Sequence, residues 1–214
     1  MEEILAGVWH WSAPHPNLGG TRVSSYWLDD GGVLIDPLLS DEVKVDWFAQ
    51  RPTPPSAIVL ANRHHYRSSA ALHERFRVQV HVPRPGLRAF TDWEPVVGYD
   101  PGDELPGGLQ AIQVGALSPD DSGLLLGSAR ALWLADTIVR TPHDPTAKIG
   151  WVVDGLMDDP PDTKRELLAA FSRILDSVEF DHLLLAHGLP LIGDGRAELE
   201  ELVQVGGRTA EDAF

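Results

Sequence analysis

The sequence predicts an α/β protein built as a four-layer αββα sandwich, two β-sheets packed face to face with helices outside. Three observations predict it. Residues 4 to 39 alternate short apolar runs with Gly, Pro and Asn, the punctuation of antiparallel strands, and a β-α-β unit follows them. The second half repeats that grammar, three strands and then helix, strand and helix. No low-complexity linker separates the halves, so residues 1–214 read as one domain, with 206–214 a frayed tail behind Gly206-Gly207.

Each element has a local cause. Val8-Trp9-His10-Trp11, Ser24-Ser25-Tyr26-Trp27-Leu28 and Val33-Leu34-Ile35 are strand-like, and Asp29-Asp30-Gly31-Gly32 supplies a hairpin turn. Residues 41–50 carry Val43, Val45, Trp47 and Phe48 among charges, a short helix that must stop before Pro52. Ala57 to Ala61 is an unbroken apolar run, a buried strand. Ser68 or Ser69 can cap a helix through Ala70, Leu72, His73 and Phe76, after which Arg77 to Val82 returns as a strand. Gly108–Val114, Ser122–Leu126 and Ala131–Ala135 read as strands, the last two a hairpin across 127–130. Leu167, Leu168, Phe171, Ile174 and Leu175 fall at helical spacing over 162–177, His182–Ala186 is a buried strand, and Arg196–Val205 a terminal helix.

Composition removes several function classes. The chain has no cysteine, which excludes disulfides, thiolate zinc sites and cysteine nucleophiles, so any metal must be held by His and carboxylate. Its formal charge is −15, which opposes phosphate backbones and anionic membranes; neither nucleic acid nor membrane is an expected partner. Met1-Glu2-Glu3-Ile4 lacks a basic, apolar leader, and no run approaches the roughly 18 apolar residues of a membrane span, so a soluble cytoplasmic protein is expected. The expected partners are a small-molecule ligand or substrate, with a homo-oligomer left open.

Chemistry is expected where strands end, because open α/β folds place their sites there. The run after Ala61 is Asn62-Arg63-His64-His65-Tyr66-Arg67-Ser68-Ser69. It resembles the metal loop of the metallo-β-lactamase superfamily, whose members follow such a strand with Thr-His-x-His-x-Asp-His and a helix. Here Asn62 stands for the Thr, Arg63 for the first His, His65 for the second, Arg67 for the Asp and Ser68 for the last His. Three further landmarks keep the order of that superfamily. Leu134-Ala135-Asp136-Thr137 matches the strand ending in its bridging Asp, and Ala186-His187-Gly188-Leu189-Pro190 matches the strand ending in its last His. The loop that supplies another His there is matched by Gly115 to Ser122, which has none.

The resemblance implies a binuclear site from which most ligands are missing. Carried over, His65 belongs to the first metal, His187 to the second and Asp136 to the bridge. An arginine cannot ligate, and a guanidinium about 4 Å from a dication costs on the order of 8 kcal/mol at an effective dielectric of about 20. That consumes much of the roughly 10–16 kcal/mol a structural zinc site supplies. The favoured expectation is therefore a site without cofactor, in which Arg63 or Arg67 pairs with Asp136 and hydrogen-bonds His65 or His187. Its pocket comprises Arg63, His64, His65, Arg67, Ser68, Asp136 and His187, and it can take a small anion. The alternative is a single zinc or other divalent ion on His65, Asp136 and His187, serving hydrolysis of a small ester, thioester, lactone or amide.

Other residues weigh less. Asp120 and Asp121 read as solvated turn acids. Asp36, in Leu34-Ile35-Asp36-Pro37, matches the superfamily's strand-end Asp, and the resemblance implies an orienting or capping role without metal binding. His10, His15, His81 and His143 read as surface or core histidines, His143 being the one nearest a pocket border. Trp9, Trp11, Trp27, Trp93, Trp133 and Trp151 read as core or sheet-face aromatics, with Trp9 and Trp11 as candidate rim residues. Ser68 and Ser69 beside His65 lack the Gly-x-Ser-x-Gly elbow of a serine hydrolase.

Overall fold

A computed structural model describes residues 1–92, 94–141 and 144–208. Trp93, His143 and the end of the tail lie outside the described residues. Seven strands form the first sheet in chain order: β1 (Glu2–Leu5), β2 (Val8–Pro14), β3 (Arg22–Leu28), β4 (Val33–Ile35), β5 (Ala57–Val59), β6 (Gln79–Pro83) and β7 (Val96–Tyr99). Short connections without helix join the first four, and these pair antiparallel. Longer connections carrying α1 (Val45–Ala49) and α2 (Ser69–Phe76) separate β4, β5 and β6, and from β4 onward the pairing is parallel.

The second sheet is built from β8 (Glu104–Leu105), β9 (Leu109–Gln113), β10 (Ser122–Leu126) and β11 (Ala131–Leu134). A two-stranded ribbon of β12 (Ile138–Val139) and β13 (Gly150–Trp151) and the helix α3 (Pro160–Ser177) come next. The strand β14 (His182–Leu185) then adds parallel to β11, giving the order β14-β11-β10-β9-β8, and α4 (Gly195–Gln204) follows.

Side-chain alternation sorts the strands into layers. Tyr26, Leu28, Val33, Ile35 and Val59 of the first sheet meet Leu109, Ala111, Leu124, Trp133 and Leu184 of the second, forming the central core. The residues between them point the other way. Trp27, Leu34 and Ile58 pack with Phe48 of α1 and Leu72 of α2, while Leu132, Leu134, Leu183 and Leu185 pack with Phe171 of α3 and Leu199 of α4. Each fully buried Leu, Ile or Phe contributes about 1.5–3 kcal/mol. The two sheets are also stitched by Tyr26, whose ring meets Trp133 edge-on at 4.0 Å and whose hydroxyl donates to the Leu185 carbonyl at 3.1 Å. The expected αββα sandwich is the observed architecture.

Several local expectations differ. The helix expected over 41–50 is confined to Val45–Ala49, because Ser40 Oγ accepts from the Val43 amide and holds the preceding segment in a turn. Ser68 precedes α2 without capping it; its hydroxyl accepts from Leu39 N at 2.9 Å. Arg77 takes a left-handed conformation at the end of α2, so β6 starts two residues later than expected. α3 begins at Pro160 because Asp159 caps it, accepting from Asp162 N. Trp9 and Trp11 form no rim; both pack in the layer under α1, and Trp11 donates to Leu38 O at 2.8 Å. Strands β1, β7, β8, β12 and β13 were not expected; β8, β12 and β13 have two residues each, too few to show a period.

Candidate functional site

One end of the sandwich collects the polar residues. β4 and β5 are parallel, so Asp36 and Asn62 emerge beyond their ends on the same side; β11 and β14 are parallel too, which brings Asp136 and His187 together. The Ser122 amide donates to Ala61 O at 3.0 Å and the Ser24 amide to Ala186 O at 2.8 Å, holding the two sheet ends in register across the core. Residues Arg63–Tyr66 form a 3-10 turn started by Asn62, whose Oδ1 accepts from His64 N at 2.9 Å.

His65 lies at the centre, 3% exposed, between two carboxylates. Its Nδ1 is 2.7 Å from Asp36 Oδ2, and its Nε2 is 2.9 Å from Asp136 Oδ1. His187 Nε2 reaches the same Asp136 oxygen at 3.2 Å, while Asn62 Nδ2 donates to Asp136 Oδ2 at 2.8 Å. Burial pushes the His65 pKa down, but the charges of Asp36 and Asp136 outweigh it and raise it to about 9. Asp136 is moved the other way: burial raises it, while the His65 charge and hydrogen bonds from both histidines hold it well below the usual carboxylate range. Near neutral pH His65 is therefore an imidazolium donating to both carboxylates.

The two arginines are placed otherwise than the sequence suggested. Arg63 turns away from Asp136; its amide donates to Asp120 Oδ2 at 2.9 Å and its guanidinium pairs with the other oxygen of Asp120. The 3-10 turn causes this, directing Arg63 toward the 115–121 loop. Arg67 adopts φ +37° and spends Nη1 on two carbonyls, Ser24 O at 2.8 Å and Asp36 O at 2.7 Å. It bonds neither Asp136 nor a histidine, yet its charge acts on His65, and burial lowers its pKa while Asp36 and Asp136 raise it. Asp36 also has a positive φ, +47°. Non-glycine residues in that region cost of order 1–3 kcal/mol and persist where their surroundings over-determine them.

Asp120 and Asp121 are not solvated turn acids: their exposures are 1% and 2%. Asp120 is held by Arg63 and Ser118, whereas among the described residues the Asp121 carboxyl has only the Asp136 backbone and the Thr137 hydroxyl beside it, neither at full hydrogen-bond geometry. Burial, then the Asp136 charge, pushes Asp121 up to about 8. These residues open onto a cleft of about 970 Å³. Arg63, His64, His65, Arg67, Asp136 and His187 line it; Ser68, turned toward Leu39, does not. Sequence reasoning missed Asn62, His15 and Arg88, which line it as well; an asparagine, a loop histidine and a surface arginine carry no periodic signal of a site.

Among the described residues, His65, Asp136 and His187 form a group whose donor atoms all lie within 4.8 Å of one another. The pairing of Nδ1 with Asp36 leaves His65 Nε2 facing that group, as a histidine ligand requires. With the Nε2 proton of His65 released, this donor set fits one divalent ion.

No protein-family model matches the sequence, and no curated protein matches it either. The likeness is carried by structure. A metallo-β-lactamase from Pontibacter korlensis superposes with a TM-score of 0.66 at 18% identity, covering 95% of this chain and 97% of its own. One from Hirschia baltica gives 0.63 at 15% identity, with 96% of each chain covered. This chain has the metallo-β-lactamase fold. The fold also recurs in a flavodiiron protein from Giardia intestinalis, with a TM-score of 0.69 at 16% identity, covering 96% of this chain and 58% of that longer one. Within the metallo-β-lactamase fold the described cleft lies at the ends of the strands that the sequence motifs mark. No helix among the described residues is long and apolar enough to cross a membrane.

Proposed function

We propose that this is a metallo-β-lactamase-fold protein with a degenerate metal site, which lacks binuclear zinc hydrolysis and binds a small anionic ligand. The observation that carries the reading is Arg67, whose guanidinium is fixed by the carbonyls of Ser24 and Asp36 and acts electrostatically on His65. It is a permanent cation at a position that a binuclear site fills with a carboxylate. With Arg63 committed to Asp120 and Ser68 to Leu39, the residues at these positions do not fit a second metal ion. Arg88 adds a positive charge to the cleft, which supports anion binding in a chain of net charge −15.

A second reading is favoured by the pairing of His65 with Asp36: a mononuclear hydrolase of a small ester, thioester, lactone or amide. His65, Asp136 and His187 would hold the ion, which when bound would polarise a carbonyl and acidify water. Asp36 would keep the His65 ring oriented, and Asn62 would hold the second oxygen of Asp136. Elemental analysis of protein purified without chelator, combined with an ester and lactone panel before and after metal addition, separates the two. The first reading expects substoichiometric metal and no turnover. One bound metal per chain with metal-dependent turnover would establish the second.

A further inference from the structure

We infer that the cleft takes an amphipathic carboxylate, a single negative charge joined to an apolar chain. This rests on the anion-binding reading above and adds the substrate class. The cleft is far larger than acetate or phosphate needs, about 970 Å³, a volume suited to a ligand of many heavy atoms. Apolar side chains from separate parts of the chain line it. Leu18 on the β2–β3 turn, Val153 and Leu156 beside the 3-10 turn Asp154–Leu156, and Leu117 on the loop before β10 come from three chain segments and converge on it. Exposed apolar side chains scattered singly mean little, but these converge. Leu18 is 49% exposed, Leu156 60% and Val153 37%, and nothing else in the described fold covers them.

The charged residues that line the cleft favour one negative charge over two. Arg88, Arg67 and Arg63 face the same space as Asp121, Asp136 and Asp158, and Arg63 is already paired with Asp120. A carboxylate can be received at Arg88 and Arg67, whereas a dianion meets the Asp136 and Asp158 carboxylates as well. A chain extending from that head toward Leu117 and Leu156 would cover the exposed apolar groups.

Calorimetric titration of the chelator-treated, full-length protein with acetate, butyrate, hexanoate and octanoate, each below its micelle concentration, tests this. Affinity should rise about tenfold for every two methylenes that reach the apolar side chains. Leu156→Ser and Leu18→Ser should flatten that rise and leave acetate binding unchanged, whereas Arg88→Gln should weaken the whole series by a similar factor. Octan-1-ol should bind at least tenfold more weakly than octanoate. Binding of all four acids with equal affinity would overturn this inference and leave the anion-binding reading standing. Absence of binding by any acid would overturn both. Octan-1-ol binding as tightly as octanoate would overturn the carboxylate. Light scattering that shows a dimer broken by Leu156→Ser, with no octanoate binding, would assign the apolar side chains to a second copy of the chain instead.

Discussion

The carboxylate of Asp36 holds His65 by Nδ1 at 2.7 Å, and its other oxygen accepts from the Ala61 amide at 2.9 Å. One buried side chain thus ties the end of β4 to the extended segment after β5 and fixes the rotation of the imidazole beyond it. Asp36→Ala would leave a buried imidazolium with one carboxylate in place of two and an amide without its acceptor. Breaking a buried pair in this way costs about 3–5 kcal/mol. Denaturant unfolding should show a loss of that size at neutral pH, and nuclear magnetic resonance should show a lowered His65 pKa. A loss under about 1 kcal/mol would mean that Asp36 does not hold the site.

The same pair makes stability depend on pH. In the unfolded chain a histidine titrates near 6.5, and in the fold His65 titrates at about 9, so the folded state binds the extra proton between those values. The stabilisation is complete below pH 6.5 and lost as the pH rises through about 9, with a linkage on the order of 3 kcal/mol. Urea unfolding of chelator-treated protein across pH 6 to 10 should follow that decline. His65→Gln, a neutral side chain of similar reach, should lower stability at pH 6 and flatten the decline above pH 8, where Asp121 no longer contributes; an unchanged slope there would assign the dependence to another group.

The fold was legible because its signals are local and periodic. Buried strands such as Ala57–Val59 and His182–Leu185 are short apolar runs, and α3 carries a full amphipathic stripe. The strand-end positions of Asp136 and His187 followed from those runs together with the resemblance. The partners of the site's charges did not follow, because they depend on turns without a period. Nothing in Asn62-Arg63-His64-His65 specifies a 3-10 turn over an extended segment, yet that turn sends Arg63 to Asp120 and brings His65 onto Asp136. Asp120 and Asp121 have the composition of a solvated turn; the docking of their loop against the 63–66 turn, Gly86 and Thr137 buries them.

Asp121 gives a prediction of opposite form. Its carboxyl titrates near 3.8 when unfolded and about 8 when folded, so the unfolded state is the first to lose the proton and stability falls as the pH rises between those values. Asp121→Asn removes the ionisable group while keeping its shape. The variant should match the parent near pH 4 and exceed it by a growing margin as the pH rises to 8. Thermal unfolding at both values checks this. Destabilisation at pH 8 would mean that the ionised carboxylate has a partner that the asparagine cannot replace.

Gly188 sets how closely the loop after His187 approaches β12. Its φ is +98°, and a Cβ placed there would lie 2.1 Å from the Arg140 carbonyl oxygen. Around it the Arg140 amide donates to His187 O at 3.1 Å, and Ser24 Oγ donates to the Gly188 carbonyl, also at 3.1 Å. A side chain therefore cannot be admitted by a rotamer change; backbone has to move, and His187 moves with it. Gly188→Ala should cost at least about 2 kcal/mol, since it combines a disallowed φ with a backbone clash. Its distinguishing effect should fall on His187, whose chemical shifts should change and whose pairing with Asp136 should weaken. Gly193, which also has positive φ but meets nothing within 4 Å, provides the control. Gly193→Ala should carry the backbone penalty of about 1 kcal/mol and leave the His187 resonances in place. Equal effects of the two substitutions on both readouts would show that the close approach to Arg140 does not position His187.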